Sequence, residues 1–457
     1  MKFLFIHQNF PGQYLHLVQH LRSLPGNDVA GIGEAGNIER RGRIPGMLTL
    51  GYPAPAGAGE QTHHYLHSTE KAVRRGQAVA RVLLQLKARG FAPDVIAVHP
   101  GWGEGIFVRD IFPHTPILMF AEYFFRAGQA DLSFDPEFAR SFDWNLSVRV
   151  RNTPQLISLP TADLCVSPTM WQASCYPACL RDKIRVVHDG IDTGYMCPDP
   201  DARLVIQPLE TEGESRVALP EASQGRQDAL GGSGVVLDAE GQRAAGAPGG
   251  DPLAFSLGDP VVLFVARNLE PYRGFHIFLR SLPELQRRYP DVHTLIVGAD
   301  SASYSPTPAG TTYKRAYLEA LGARLDLSRI HFLDRVPYPA LRAMFRVAAA
   351  HVYLTYPFVL SWSMLESMAC EGLLVASRTS PVEEVVIHGK NGLLVDFFDQ
   401  QALVDQISHV LDKPSDFIPL RAAARETVLA RYELHRCLAA QMKLLQGLAA
   451  GLYPSPE

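Results

Sequence analysis

The sequence predicts an α/β protein built from two doubly wound domains, and three observations carry that expectation. Short apolar runs of strand length alternate with helix-periodic segments from residue 2 to residue 190. The same alternation resumes at residue 260 and continues to the end of the sequence. Between them, residues 199–257 are rich in glycine and poor in periodic apolar residues. Strands that alternate with helices make a parallel sheet covered on both faces, so their runs are apolar almost throughout. A chain of 457 residues is also too long for one ordinary domain, and two of roughly 180 to 220 residues are the natural division.

In the first half, KFLFIH (2–7) reads as the opening strand and GQYLHLVQHLRSL (12–24) as the helix that follows. DVAGIG and MLTLGY are the next strands. EKAVRRGQAVARVLLQLKARG (70–90) sets Val73, Val79, Val82, Leu83 and Leu86 at three-to-four spacing, the pattern of an amphipathic helix. Lys71, Arg74, Arg75, Arg81, Lys87 and Arg89 are read opposite that stripe. Such a face belongs to a helix covering a sheet, with contact to an anionic membrane as the alternative. DVIAVH (94–99), PILMFAE (116–122), ADLCVS (162–167) and IRVVHDG (184–190) supply the remaining strands. The second half offers PVVLFVA (260–266), HTLIVGA (293–299), RIHFLD (329–334), AHVYLT (350–355), LLVAS (373–377) and GLLVDF (392–397), then two closing helices. The expected division is a first domain over 1–198, a flexible linker or insertion over 199–257, a second domain over 258–432, and a helix over 433–457 packing back toward the first. Within the insertion, GVVLDAEGQ could form a small hairpin.

Composition narrows the function. With 47% hydrophobic and 20% charged residues the chain is globular in type. A net charge of −4 gives no footprint for nucleic acid. Six cysteines without a C-x-x-C pair point away from a metal site or a disulfide framework and toward reduced thiols. MKFLFIHQNF is too short for a signal peptide, and no run reaches the roughly 18 apolar residues of a membrane span. A cytoplasmic protein is expected. Asp199 and Asp201 form an Asp-x-Asp, but it opens a loop and follows no buried strand, so no metal role is assigned.

Two doubly wound domains place a site in the cleft between the carboxyl ends of their strands. Glycines after strands, and helix amino ends, supply amides for phosphates there. FVARNLEPYRGFHIFLRSL (264–282) runs from strand to helix, with Arg267 and Arg273 in the turn and Gly274 at the helix start. Two guanidiniums beside a helix start suit a diphosphate, although either could merely solvate a loop. PFVLSWSMLESMACEGLLVAS holds Glu366 near the first turns of a helix, able to accept from vicinal hydroxyls such as a ribose, or to satisfy buried amides. Ser361 and Ser363 are caps, or donors to phosphate or sugar. PGWGEGIF (100–107) does not satisfy G-x-G-x-x-G because position 106 is Ile, so a dinucleotide site is not expected. Glu104 there is a helix cap or an acceptor contact. Glu122, Arg126, Asp143 and Arg149 lie in an aromatic and charged segment, to contact an acceptor or to face solvent.

ARNLEPYRG, LSWSMLESMACEG and SPVEEVVIHGKNGLLVDFFD (380–399), preceded in order by FIHQNFPGQYLHL, PDVIAVHPGWGEGIFVRDIFP and VVHDGIDT, resemble the retaining glycosyltransferases of family 4, the glycosyl transferases group 1 of GT-B fold. The likeness spans nearly the whole chain except 200–257. It implies two Rossmann-like domains facing each other across a cleft, the first for an acceptor and the second for a donor. The implied reaction moves a sugar from a nucleotide-diphosphate donor to a glycan, lipid-linked or other hydroxyl acceptor, with no metal or other cofactor. Carried over position by position, Arg267 and Arg273 match the basic pair on the diphosphate, and Glu366 matches the glutamate on the ribose. Gly12 matches the glycine loop near donor phosphate and sugar, and His99 the histidine near the reacting sugar. Glu384 matches a glutamate of a structural turn. The departure is Phe358, eight positions before Glu366, where the family carries a glutamate that bonds the donor sugar. Backbone amides of 359–361, Ser361 and Trp362 are the candidates to replace it, beside Ser363 in the donor set. Glu122 and Arg126 are the acceptor candidates. Phe332 to Arg335 fall where the base would sit, without choosing a base. The resemblance also admits peripheral contact with the inner face of a membrane. A sugar-nucleotide epimerase and a non-catalytic binding subunit remain the alternatives.

Overall fold

The computed structural model describes residues 1–126, 133–211, 213–218 and 249–453. The described residues fall into two compact units: Met1–Gly190 with the segment from Leu434 onward, and Ile191 to Glu433.

The first unit is a seven-stranded parallel sheet of β1 (Lys2–Ile6), β2 (Asp28–Glu34), β3 (Leu48–Tyr52), β4 (Val95–Val98), β5 (Ile117–Phe120), β6 (Leu164–Ser167) and β7 (Ile184–Val186), in the order β3-β2-β1-β4-β5-β6-β7. The period of two along β1 explains its two coats. Phe3 and Phe5 pack with Leu17, Val18 and Leu21 of the helix Leu15–Ser23 and with Leu438 and Leu445 of the last helix, Leu434–Ala449. Leu4 and Ile6 point to the other face, onto Val79, Val82, Leu83 and Leu86 of the helix His67–Ala88. That helix differs from expectation at one position. Arg75 is buried rather than on the solvated face, beside Gly76, whose missing side chain lets the carbonyl of Gly103 come close.

The second unit repeats the plan with β11 (Val261–Asn268), β12 (His293–Ala299), β13 (Ile330–Phe332), β14 (Ala350–Tyr353), β15 (Leu374–Ser377) and β16 (Leu393–Val395), all parallel, in the order β13-β12-β11-β14-β15-β16. Ile191 and Met196 are buried in its core, so this unit begins at residue 191, inside the expected first domain (1–198) and well ahead of the 258 expected for the second. The ends of the expected linker are ordered too. β8 (Arg203–Pro208), β9 (Ser215–Val217) and β10 (Leu253–Ser256) form an antiparallel sheet in the order β10-β8-β9, with Leu204, Ile206 and Phe255 in the core. GVVLDAEGQ lies outside the described residues. No helix among the described residues is long and apolar enough to cross a membrane.

Candidate functional site

In both sheets the chain reverses its winding between the first strand and the fourth, and a crevice opens at the carboxyl ends of those two neighbours. In the second unit these are β11 and β14. After β11 the turn ends on Gly274, at φ +69°, where an added Cβ would lie 2.2 Å from that of Leu354. Only glycine fits, and its presence lets the helix Phe275–Arg288 start hard against the end of β14, where its first amides have no intrahelical carbonyl to bond. Arg267 is exposed at the end of β11. Arg273 is half-buried, and its Nη1 donates to Thr355 Oγ1 at 2.8 Å and to the Val359 carbonyl at 3.0 Å. Glu270 is buried, and its Oε2 accepts from the amides of Ser303, Tyr304 and Ser305 at 3.1, 2.9 and 2.7 Å. That carboxylate ties the turn to the loop after β12. Sequence reading missed it, because an isolated Glu-Pro in a loop carries no pattern.

Beyond β14, Ser361 caps the helix Trp362–Ala369, its Oγ accepting from the Ser363 amide at 3.3 Å and lying 2.8 Å from Ser363 Oγ. The amide of Ser361 donates to Tyr353 Oη at 2.8 Å, so it is not free for a sugar. Trp362 packs half-buried against the core. Glu366 is only 1% exposed. Its Oε1 accepts from Tyr338 Oη at 2.7 Å, while Oε2 is buried without a partner among the described residues. Burial pushes its carboxyl up to about 8, against the opposing hydrogen bond from Tyr338. Tyr338 is itself held flat on Tyr195, with ring centroids 5.3 Å apart.

Phe358 is buried, edge-on to Tyr272 and Tyr304 at 5.0 and 4.8 Å, with the Arg273 guanidinium 5.6 Å from its ring. It contributes a dry aromatic wall beside a cation, and cannot accept a hydrogen bond from a sugar hydroxyl. Phe332 is a core residue of β13 lying under Lys314, not a surface for a base.

In the first unit the crevice lies between β1 and β4. His7 and His99 follow those strands directly, each roofed by a glycine. An added Cβ on Gly12 (φ +54°) would come within 2.5 Å of the His7 ring, and one on Gly101 within 2.8 Å of the His99 ring. His7 Nδ1 accepts from the Asn9 amide at 2.9 Å, and burial, then His99, hold its pKa well below the usual value. His99 lies between Trp102 and Phe120, with ring centroids 4.4 and 5.6 Å away. Its Nε2 is 3.3 Å from Oε2 of Glu122, which follows β5. Gln13 Nε2 donates to the other oxygen of Glu122 at 3.1 Å. Gly12, His99 and Glu122 are therefore gathered at one edge.

Arg126 is not part of that group. Its guanidinium donates to the carbonyls of Ser174 and Cys175, closing the end of the helix Met170–Ser174. Asp143 pairs with His64 and Tyr65 on the surface. Glu104 is fully buried, accepting from Tyr52 Oη at 2.8 Å with Arg75 Nε 3.6 Å away, so it neither caps a helix at the surface nor meets an acceptor. Arg75 Nη1 in turn holds the Trp102 carbonyl at 2.9 Å.

Two family models match the chain in succession: Glycosyl transferase family 4 group over residues 25–196, and Glycosyl transferases group 1 over residues 251–428. The D-inositol 3-phosphate glycosyltransferase of Corynebacterium urealyticum is 31% identical over 183 residues, 39% of this chain and 41% of that protein. The GDP-mannose-dependent alpha-(1-6)-phosphatidylinositol monomannoside mannosyltransferase of Mycolicibacterium smegmatis is 30% identical over 202 residues, 42% of this chain and 50% of that one. The chain thus spans half or less of the length of these two relatives. Sucrose-phosphate synthase from Thermosynechococcus elongatus shares the fold at a TM-score of 0.67 and 16% identity, over 99% of this chain and 100% of that structure. Anabaena Alr3699/HepE in complex with UDP-glucose does so at 0.60 and 16%, over 98% and 100%.

Proposed function

This chain belongs to glycosyltransferase family 4, with the two Rossmann-like domains of the GT-B fold, and on that premise we propose that it transfers a sugar from a nucleoside-diphosphate donor to a hydroxyl acceptor with retention of anomeric configuration. One observation carries the donor half of the reading. Arg273 bonds Thr355 and the Val359 carbonyl, which ties the glycine turn after β11 to the segment that leads into the helix of Glu366. A diphosphate on the turn and a ribose on Glu366 would then belong to one nucleotide. Oε2 of Glu366, buried and without a partner, has the chemistry of a seat for a diol.

In the proposed step the acceptor oxygen bonds to the anomeric carbon on the face that the diphosphate leaves. The anomeric C–O bond breaks, and the acceptor proton passes to a diphosphate oxygen. Arg267, Arg273 and the first amides of the helix Phe275–Arg288 would oppose the negative charge that builds on the departing group, so the proposal calls on no metal or other cofactor. Phe358 removes one sugar contact, and with the Ser361 amide engaged by Tyr353 the amides of Val359 and Leu360 are the proposed substitutes.

GDP-mannose and UDP-glucose, named for one relative and one structural neighbour, are the first donors to try. The test is transfer from each to D-inositol 3-phosphate and to a panel of glycans, with products separated by mass. A glycoside of unchanged anomeric configuration supports the reading. Donor binding without transfer to any acceptor contradicts it, and so does an altered nucleotide sugar formed without acceptor. Contact with an anionic membrane is proposed for the exposed Lys71, Arg81 and Arg89. Failure to sediment with phosphatidylserine vesicles would remove that part.

A further inference from the structure

We infer that Glu122, rather than His99, is the group that meets the acceptor at the carboxyl edge of the first sheet, and that His99 is a positioning residue whose Nε2–H holds that carboxylate. The inference rests on the proposed function for the kind of acceptor, a hydroxyl compound such as a polyol or sugar. The positions of the protons come from this edge alone.

The Gly101 amide donates into His99 Nδ1 at 3.2 Å. That nitrogen must therefore offer its lone pair, and the ring proton sits on Nε2. Nε2–H faces Glu122 Oε2 at 3.3 Å. An imidazole so placed has no lone pair left for a substrate proton, and an imidazolium would set a second donor against the Gly101 amide. The slab between Trp102 and Phe120 prevents the ring from turning out of this arrangement, and the residue is 2% exposed. The same device recurs at two other histidines that follow strands of this sheet. The Asn9 amide donates into His7 Nδ1, and the Gly190 amide into His188 Nδ1 at 3.0 Å.

Glu122 is arranged in the opposite sense. Its side chain is 33% exposed. One donor reaches each carboxylate oxygen, His99 on Oε2 and Gln13 on Oε1. Its main-chain carbonyl accepts from Gln172 Nε2 at 2.6 Å, which fixes the backbone beneath it. Each carboxylate oxygen can accept about two hydrogen bonds, so acceptor capacity remains on an exposed, oriented group. A neutral hydroxyl is the chemistry that uses it.

Two measurements test the inference. In protein labelled with 15N-histidine, the neutral His99 ring, identified by its loss in His99→Gln, is expected as the Nε2–H tautomer. An Nδ1–H tautomer would overturn it. In the second, release of nucleoside diphosphate from GDP-mannose and UDP-glucose is followed with D-inositol 3-phosphate as the probe acceptor. Glu122→Gln is expected to raise the acceptor KM by about tenfold or more, with a smaller change in kcat and no change in donor Kd. His99→Leu should reproduce that effect, and His99→Gln, which can still donate from its own Nε2, should recover most of it. Equal loss in the two His99 variants would make His99 the base and overturn the inference, as would a weakened donor Kd in Glu122→Gln. If the wild-type protein consumes neither donor, the proposed transfer from them fails, and the tautomer measurement alone decides the inference.

Discussion

Arg273, Glu366 and Glu122 of the candidate site are each tied by hydrogen bonds to neighbours that fix their direction. Arg273 illustrates this on the donor side. Its bonds to Thr355 and Val359 aim a guanidinium that would otherwise sweep a wide volume. Arg273→Ala is expected to lower kcat/KM by the equivalent of about 2–4 kcal/mol of transition-state stabilisation, with the melting temperature measured alongside to separate folding from chemistry. Unchanged turnover would discard the phosphate role. Glu366 makes a prediction that needs no substrate. Its folded pKa, about 8, stands above the usual 4.5, so the folded state favours the protonated form. Its stabilising contribution is therefore complete below pH 4.5 and is lost as pH rises through 8. Glu366→Gln should flatten stability between those limits in denaturant titrations, and an unaltered slope would contradict the burial argument. At this scale the sequence disclosed residue type but not partnership. Glu366 and Arg273 stood in readable motifs, whereas Glu270, Tyr338 and Gln13 act through contacts with residues distant in the chain. Arg126 shows the converse. Its charge suggested an acceptor contact, but two backbone carbonyls take it up.

Elements explain why those residues meet. A strand that passes into a helix through a short turn closed by a left-handed glycine brings the start of the helix to the edge of the sheet. Gly274→Ala would meet Leu354 and hold alanine at φ +69°. The expected cost is about 1–3 kcal/mol of stability, with loss of nucleotide binding measured by calorimetry. Normal binding in a folded variant would detach the turn from the site. Elements were also the most legible part of the sequence. Runs such as PVVLFVA and DVIAVH are apolar on both faces because both faces are covered, and they sit where strands were expected. β8, β9 and β10 were missed for the inverse reason. They are short, antiparallel and only partly buried, and they flank a glycine-rich stretch whose composition dominates any window that includes them. Arg75 was misplaced because helical spacing gives a face to each residue but cannot reveal that Glu104 lies buried opposite it.

Across the whole molecule the titrations of buried histidines set the acid limit. Burial brings His188 down to about 4, His351 to about 3, and His331 to about 4 with help from His293. All are depressed from 6.5, so their contribution is present above that pH and is lost as pH falls toward 4 and below. Thermal midpoints should drop steeply over that interval, and His351→Phe should soften the drop if it folds. A protein equally stable at pH 7 and pH 4 would contradict this assignment. The repeated winding of the two sheets was readable from alternation alone, since each strand and its helix announce themselves locally. The point where residue 191 passes into the second unit was not, because Ile191 and Met196 find their partners far along the chain. The claim on which the account turns is that a nucleotide diphosphate lies on the β11 turn with its ribose on Glu366. A crystal structure of the protein soaked with UDP or GDP tests it most directly. The account predicts diphosphate oxygens within hydrogen-bond distance of Arg273 and the helix amides after Gly274, and a ribose diol on Glu366 Oε2. A nucleotide bound elsewhere, with Glu366 still held by Tyr338 alone, would contradict it.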